Sequence, residues 1–157
     1  MKLTFNVSNT NKLLFNLLIF TCLGIATALA QPKWKLNVTG KAVENGKSLD
    51  GVSIKISKSG AEPVTIFASD NGKFSFSLDP NSLYTVRFTK PGGYITKIVT
   101  FDTKNVPNDE DERPEPFTFP IQEINIFKEY KGLDVSLLKE PIAKVSYVSA
   151  SGRFDYD

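Results

Sequence analysis

From Trp34 to about Phe101, apolar side chains fall on every second residue. Turn-forming segments interrupt the pattern at the spacing of roughly 8 to 12 residues typical of antiparallel sandwiches. Leu36 and Val38 alternate with Lys35, Asn37 and Thr39; Val52, Ile54 and Ile56 alternate with Ser53, Lys55 and Ser57. Phe74, Phe76 and Leu78 alternate with serines, and Tyr84, Val86 and Phe88 with Thr85, Arg87 and Thr89. Ile95, Val99 and Phe101 continue the pattern, with Lys97 breaking the face. Successive side chains of a strand leave on opposite sides, so each run has one greasy face to bury. No window sustains a helical period. Between the runs lie Glu44-Asn-Gly-Lys47, Ser69-Asp-Asn-Gly-Lys73, Asp79-Pro-Asn81 and Lys90-Pro-Gly-Gly93. Asn-Gly supplies the positive φ angles of a tight hairpin, and Pro presets one φ where Gly relieves the next. The spacing predicts strands over 34–43, 52–58, 62–68, 73–78, 83–89 and 94–101, stacked as an antiparallel sandwich.

Residues 102–116 break this order. They hold six acidic groups, two basic groups and three prolines, with too little apolar surface to offset the entropy of ordering. An exposed, mobile loop is predicted there. A seventh strand is predicted over 117–130, with a change of phase: Phe117, Phe119 and Ile121 share one face, whereas Ile124 and Ile126 fall on the other. A bulge near Gln122-Glu123 would re-aim them, and Pro120 suits an edge position. Residues 131–157 contain one clear short run, Ala143–Val148, then the turn Ser149-Ala-Ser-Gly152 and the aromatic tail Phe154-Asp-Tyr-Asp157.

The first 30 residues read as a signal peptide. Lys2 and Lys12 precede an apolar stretch from Leu13, and Ala28-Leu-Ala30 ends it with the small residues a signal peptidase accepts. Cleavage is expected after Ala30. Leu13 to Ala30 is near the lower limit of about 18 residues for a membrane span. Asn16, Gly24 and the small-residue end favour cleavage over retention as an anchor. Lipidation at Cys22 is disfavoured by Phe20 and Thr21 before it and by apolar residues after it.

Of the 19 basic residues Lys2 and Lys12 fall in this segment and none of the 17 acidic ones does, so the remainder balances at 17 against 17. That balance argues against nucleic acid or an anionic membrane as partner. The chain has no histidine, and its one cysteine is Cys22. An exported form would therefore lack disulfides, thiol nucleophiles and imidazole bases, and its stability would rest on a core. No enzymatic activity and no cofactor are expected.

The remaining chemical motifs have ordinary explanations. The acids Asp109-Glu-Asp-Glu112 are consecutive rather than spaced as calcium ligands, and Asp70-Asn-Gly72 lacks the closing glutamate of a calcium loop. Carboxylate pairs such as Glu44 with Asp50, or Asp155 with Asp157, arise by chance in a chain with this many acids. Ser136-Leu-Leu-Lys139 matches a nucleophile motif by letters, with no helix to support it. The aromatics Trp34, Tyr94, Tyr130, Tyr147 and Tyr156 are the plausible binding resource, set against the alternative that they close the ends of the core.

Val38-Thr-Gly-Lys-Ala-Val43, Ser48-Leu-Asp-Gly-Val-Ser-Ile-Lys-Ile56, Ser69-Asp-Asn-Gly-Lys-Phe-Ser-Phe76 and Tyr84-Thr-Val-Arg-Phe88 leading to Gly93-Tyr94 occur in that order. Residues 38–101 thereby resemble the carboxypeptidase regulatory-like family. The resemblance implies an all-β fold, a seven-stranded antiparallel Greek-key sandwich that is prealbumin-like (transthyretin-like), here with a C-terminal extension. It divides the chain into a signal peptide (1–30), the sandwich domain (31–130) and the extension (131–157). It also implies an accessory module, since such domains accompany carboxypeptidases or extend outer-membrane transporters of Gram-negative bacteria, and no catalytic residue is carried over. The expected function is non-catalytic binding of another cell-envelope protein, in the periplasm or outside the cell. Trp34, Tyr94, Tyr147, Phe154, Tyr156 and the strand at 143–148 are the candidate contacts. The alternative is carbohydrate binding to an envelope polysaccharide, with Trp34 or Tyr94 stacking on a sugar.

Overall fold

The computed structural model describes residues 34–107 and 116–157; the expected signal peptide and the acids at 109–112 lie outside them. Ten strands form among these residues: β1 (Leu36–Glu44), β2 (Lys47–Ser48), β3 (Ser53–Lys58), β4 (Val64–Phe67), β5 (Lys73–Leu78), β6 (Leu83–Thr89), β7 (Lys97–Asp102), β8 (Phe117–Asn125), β9 (Ala143–Val148) and β10 (Arg153–Tyr156). A single 3-10 turn, Leu137–Lys139, interrupts the connection between β8 and β9. In the first sheet β1 lies between antiparallel β5 and parallel β8, and β2 folds back on its end. The second sheet runs β10-β9-β7-β6-β3-β4.

This is the all-β sandwich the alternation implies, with an amendment to its antiparallel pairing. β1–β8 and β7–β9 are parallel. In each case the chain visits the opposite sheet before returning, which supplies the long crossover that a parallel pair requires. Beyond the seven expected strands and the short run near 143–148, two further segments pair, β2 and β10. Residues 131–157 thus add two strands to the second sheet.

The inner faces are those the period of two marks. Leu36, Val38, Phe74, Phe76, Phe117, Phe119 and Ile121 from the first sheet meet Ile54, Val86, Phe88, Val99, Phe101 and Val145 from the second. Each such side chain contributes about 1.5–3 kcal/mol on burial. In β8 the register passes from Gly40↔Ile121 to Ala42↔Ile124, so β8 carries an extra residue. That bulge turns both Ile121 and Ile124 inward, where each is buried. β8 pairs only with β1, so Pro120 lies on an edge strand, where a missing N–H is tolerated.

Local turns follow the same logic. Asn45 and Gly46 hold φ of 51° and 75°, the doubly positive pair of a type I′ hairpin between β1 and β2. Gly40 serves a different need: a Cβ there would stand 2.5 Å from Phe74 Cζ and 2.6 Å from the Ile121 carbonyl oxygen. The ring of Phe74 occupies the space a side chain would take.

Two polar residues depart from the expected pattern. The 102–116 segment begins anchored rather than exposed, because Thr103 is fully buried. Its hydroxyl accepts the Ser82 N–H at 3.0 Å and lies 2.9 Å from the Asp79 and Ser82 carbonyls. Lys97 stands opposite Phe88 in register and so shares the inward face, with only 6% of its surface exposed. Its ammonium sits 4.2 Å from the centroid of the Phe127 ring, and desolvation pulls its pKa below 10.5.

Gly40→Ala should cost about 1–3 kcal/mol by overpacking, read as a lower urea midpoint with unchanged slope. For Lys97 the unfolded chain binds more protons than the folded one between the lowered folded pKa and 10.5. Wild type should therefore gain stability relative to Lys97→Met as pH rises through that window. Urea midpoints of both proteins from neutral to alkaline pH test this.

Candidate functional site

The expected contact residues divide sharply. Trp34 is 3% exposed, its ring edge-on to Phe117 at 5.1 Å and tilted toward Phe154 at 6.1 Å. Tyr147 lies 5.7 Å from both Phe117 and Phe154, and Phe117 and Phe154 are 5.3 Å apart. Trp34, Tyr147 and Phe154 are therefore core residues: they fill the end of the sandwich where β8 meets β9 and β10. Strand β9 offers no free edge, since β7 pairs along one side and β10 along the other. The strand at 143–148, a candidate contact, lies inside the sheet, because Arg153–Tyr156 folds back onto it and takes the edge.

Tyr156 and Tyr94 keep surface. Tyr156 is 52% exposed, with its ring 5.1 Å from Phe119. Tyr94 is half-buried; its hydroxyl donates to Glu44 Oε2 at 3.0 Å, and Lys90 and Lys128 lie 5.8 and 5.2 Å from its ring. Partial desolvation and the bond to Glu44 raise its pKa above 10.0. Tyr130 is exposed on the loop after β8. The acids considered as pairs have separate partners: Asp50 takes Lys90, Asp155 takes Arg153, and Asp157 takes Lys144 and Ser146. Asp70-Asn-Gly72 is a tight turn and not the expected hairpin, because it joins β4 of the second sheet to β5 of the first; Asn71 Oδ1 accepts from Ser69 and from the Lys73 N–H. Ser136 precedes the 3-10 turn and Lys139 is its last residue.

Two concavities stand out. Strand alternation sends Ile54 and Val86 inward and Lys55 and Arg87 outward, so these cations lie on the outer face of the second sheet. The chain after β8 crosses this face. The Ile142 N–H donates to the Ile98 carbonyl at 2.8 Å, and the Glu129 N–H to that of Gly93 at 2.9 Å. Ile98, an outward residue of β7, is thereby covered to 6% exposure. Between this crossing and the sheet lies a groove of about 520 Å³. Lys55, Arg87, Ile98, Tyr94, Leu138 and Lys139 are among its walls.

The second concavity, about 430 Å³, lies at the open side of the sandwich beside β4 and β5. Ile56, Val64, Ile66, Phe76 and Tyr84 give it apolar walls. β4 pairs only with β3, and its side chains are unusually bare: Val64 is 57% and Phe67 70% exposed. The Ala68 N–H donates to the Val52 carbonyl, so by alternation Val64 and Ile66 bond toward β3. Thr65 and Phe67 turn their N–H and C=O groups outward. Neither surface was expected from the sequence. The outward phase of Lys55 and Arg87 was readable; their grouping with Lys139 was not.

No family model and no curated protein sequence matches the chain. Among solved structures, a DUF3823 family protein from Parabacteroides merdae is 16% identical with TM-score 0.37, over 59% of this chain and 45% of that one. The dioxygenase domain of a dioxygenase carbohydrate-binding protein fusion from Streptomyces sp. SirexAA-E is 18% identical with TM-score 0.38, over 61% and 84%. A C-terminal fragment of pilus adhesin SpaC from Lactobacillus rhamnosus GG is 18% identical with TM-score 0.41, over 63% and 47%. The chain spans less than half the length of the first and third. Likeness at this level leaves function undetermined, and the sandwich assignment stands on the strand pairings themselves. No helix among the described residues is long and apolar enough to cross a membrane.

Trp34→Ala should lower stability by about 3–5 kcal/mol, the cost of emptying a packed aromatic site. Chemical denaturation checks it; unchanged stability would return Trp34 to the list of surface contacts.

Proposed function

We propose that this chain is an exported, non-catalytic β-sandwich module of the carboxypeptidase regulatory-like kind, which recognises another cell-envelope protein by offering its β4 edge. The observation that carries the reading is an edge strand with two large apolar side chains in solvent, Val64 and Phe67, and outward backbone groups at Thr65 and Phe67. Exposed edges of this kind pair readily with another chain, and soluble proteins commonly blunt them with charge or proline. β4 carries neither. An extended segment of a partner would continue the second sheet past β4 and place alternate side chains in the apolar concavity beside Ile56 and Ile66. Tyr156, on the edge strand at the far side of the same sheet, is the second candidate contact.

Three features support the family reading. Ser69-Asp-Asn-Gly-Lys73 forms a tight turn into β5, Leu49-Asp-Gly-Val52 leads into β3, and Gly93-Tyr94 lies in the turn before β7. The carbohydrate alternative loses Trp34 to the core and keeps Tyr94, whose ring is flanked by lysines and whose hydroxyl is held by Glu44.

Thr65→Pro removes an outward donor while leaving the ladder to β3 intact, and Phe67→Asp charges the edge. Crosslinked capture by the tagged protein from its own envelope should yield a partner, lost in the Thr65→Pro/Phe67→Asp variant and kept in Tyr156→Ala. Loss only in Tyr156→Ala would move the site to β10. Recovery of no partner, or polysaccharide binding abolished by Tyr94→Ala, would overturn the proposal.

A further inference from the structure

The groove on the outer face of the second sheet carries a charge arrangement that the fold does not need. Lys55 and Arg87 are direct cross-strand partners in the β3–β6 ladder, with side chains on the same face. Like charges so placed repel and destabilise a sheet. Lys139 then joins the same groove from the 3-10 turn, bringing a third cation to its wall. Among the described residues none of these three side chains forms an ion pair. The acid lining the groove is Glu129, which leaves the lining cationic by two charges. Four cations elsewhere on the surface are paired, Lys35 with Asp79, Lys90 with Asp50, Lys144 with Asp157 and Arg153 with Asp155; what sets the groove apart is that three unpaired ones share it.

Most of the remaining lining is apolar, with the hydroxyl residues Thr89 and Thr96 beside it. Ile98 is nearly covered, Val135, Leu138 and Ile95 are half-buried, and the Tyr94 ring faces the same space. A volume of about 520 Å³ falls within the range of small-molecule sites, roughly 300–1,000 Å³. Apolar walls with a cationic end suit an amphiphilic anion. The planar guanidinium of Arg87 can donate two parallel hydrogen bonds to a carboxylate or phosphoryl group, with Lys55 and Lys139 as point charges beside it.

We infer that this groove is a binding site for a small organic anion, one carrying a carboxylate or phosphate group on an apolar body. The anionic group is held by Lys55, Arg87 and Lys139, and the body rests on Ile98 and Leu138. The inference is independent of the β4 edge. Occupation would neutralise the Lys55–Arg87 repulsion, so ligand and sheet stabilise each other.

Phenyl phosphate, with phenol as its uncharged counterpart, tests this by nuclear magnetic resonance titration of the purified protein. Phenyl phosphate should bind saturably, shifting the amides of Arg87, Ile98 and Leu138, weakening with added salt and raising the melting temperature. Phenol should bind at least about tenfold more weakly, as expected for loss of a charge-assisted hydrogen bond. Lys55→Gln and Arg87→Gln should each lose about tenfold in affinity with melting temperature unchanged or higher, which separates lost binding from lost folding. Tyr156→Ala, on the far edge of the sheet, should bind as wild type does. Equal affinity for phenol and phenyl phosphate, unaltered affinity in both glutamine variants, or no saturable binding would overturn the assignment.

Discussion

The interior contact between the two sheets at Phe101 holds the rest of the molecule in place. Its ring, fully buried on β7, stands edge-on to Phe76 of β5 at 6.2 Å and to Phe119 of β8 at 6.0 Å. One side chain of the second sheet is thus wedged between two strands of the first. Edge-to-face geometry adds about 0.5–1.5 kcal/mol per pair beyond the area buried. Phe119 in turn meets Tyr156 of β10, and the neighbouring Phe117 meets Trp34, Tyr147 and Phe154. The C-terminal strands are therefore tied to the same aromatic interior as the N-terminal ones. A chain whose only cysteine is Cys22 has no disulfide to brace the sandwich, which leaves this packing to do so.

From that interior the two exposed surfaces follow. Once β8 has packed against β1, the chain must return across the second sheet to begin β9 alongside β7. That return covers Ile98 on an otherwise solvent-facing side and makes the walls of the cationic groove. At the other end of the sheet nothing comparable happens. β4 is a short strand held by β3 alone, with its apolar side chains in solvent, and the concavity beside it opens between the two sheets.

Strands β1, β3, β5, β6 and β7 were legible because each buries one face, and burial on one side imposes a period of two that survives any detail of packing. The β8 bulge was legible for the same reason: Ile121 and Ile124 are three apart, and only an extra residue lets both face inward. Lys97 was read as breaking the apolar face, and its inward phase was right; what the sequence could not show was the Phe127 ring that receives its ammonium. Trp34 and Tyr147 were open to two readings as long as their neighbours were unknown, and Phe154 was read as a contact. All three proved to pack on Phe117.

Alternation and turn chemistry in the sequence alone determined that the chain forms strands, which side chains most of them bury and where the chain turns. Those are local properties, set by backbone geometry and by the cost of leaving apolar surface in water. Which strands become neighbours, and in what register, was decided only by tertiary structure. A period of two tells a residue which way to face and says nothing of what it will face. Lys55 opposite Arg87, Lys139 lining the same groove, and β4 left with one edge unpaired are consequences of how segments far apart in the chain come together, where packing across the whole core selects one arrangement.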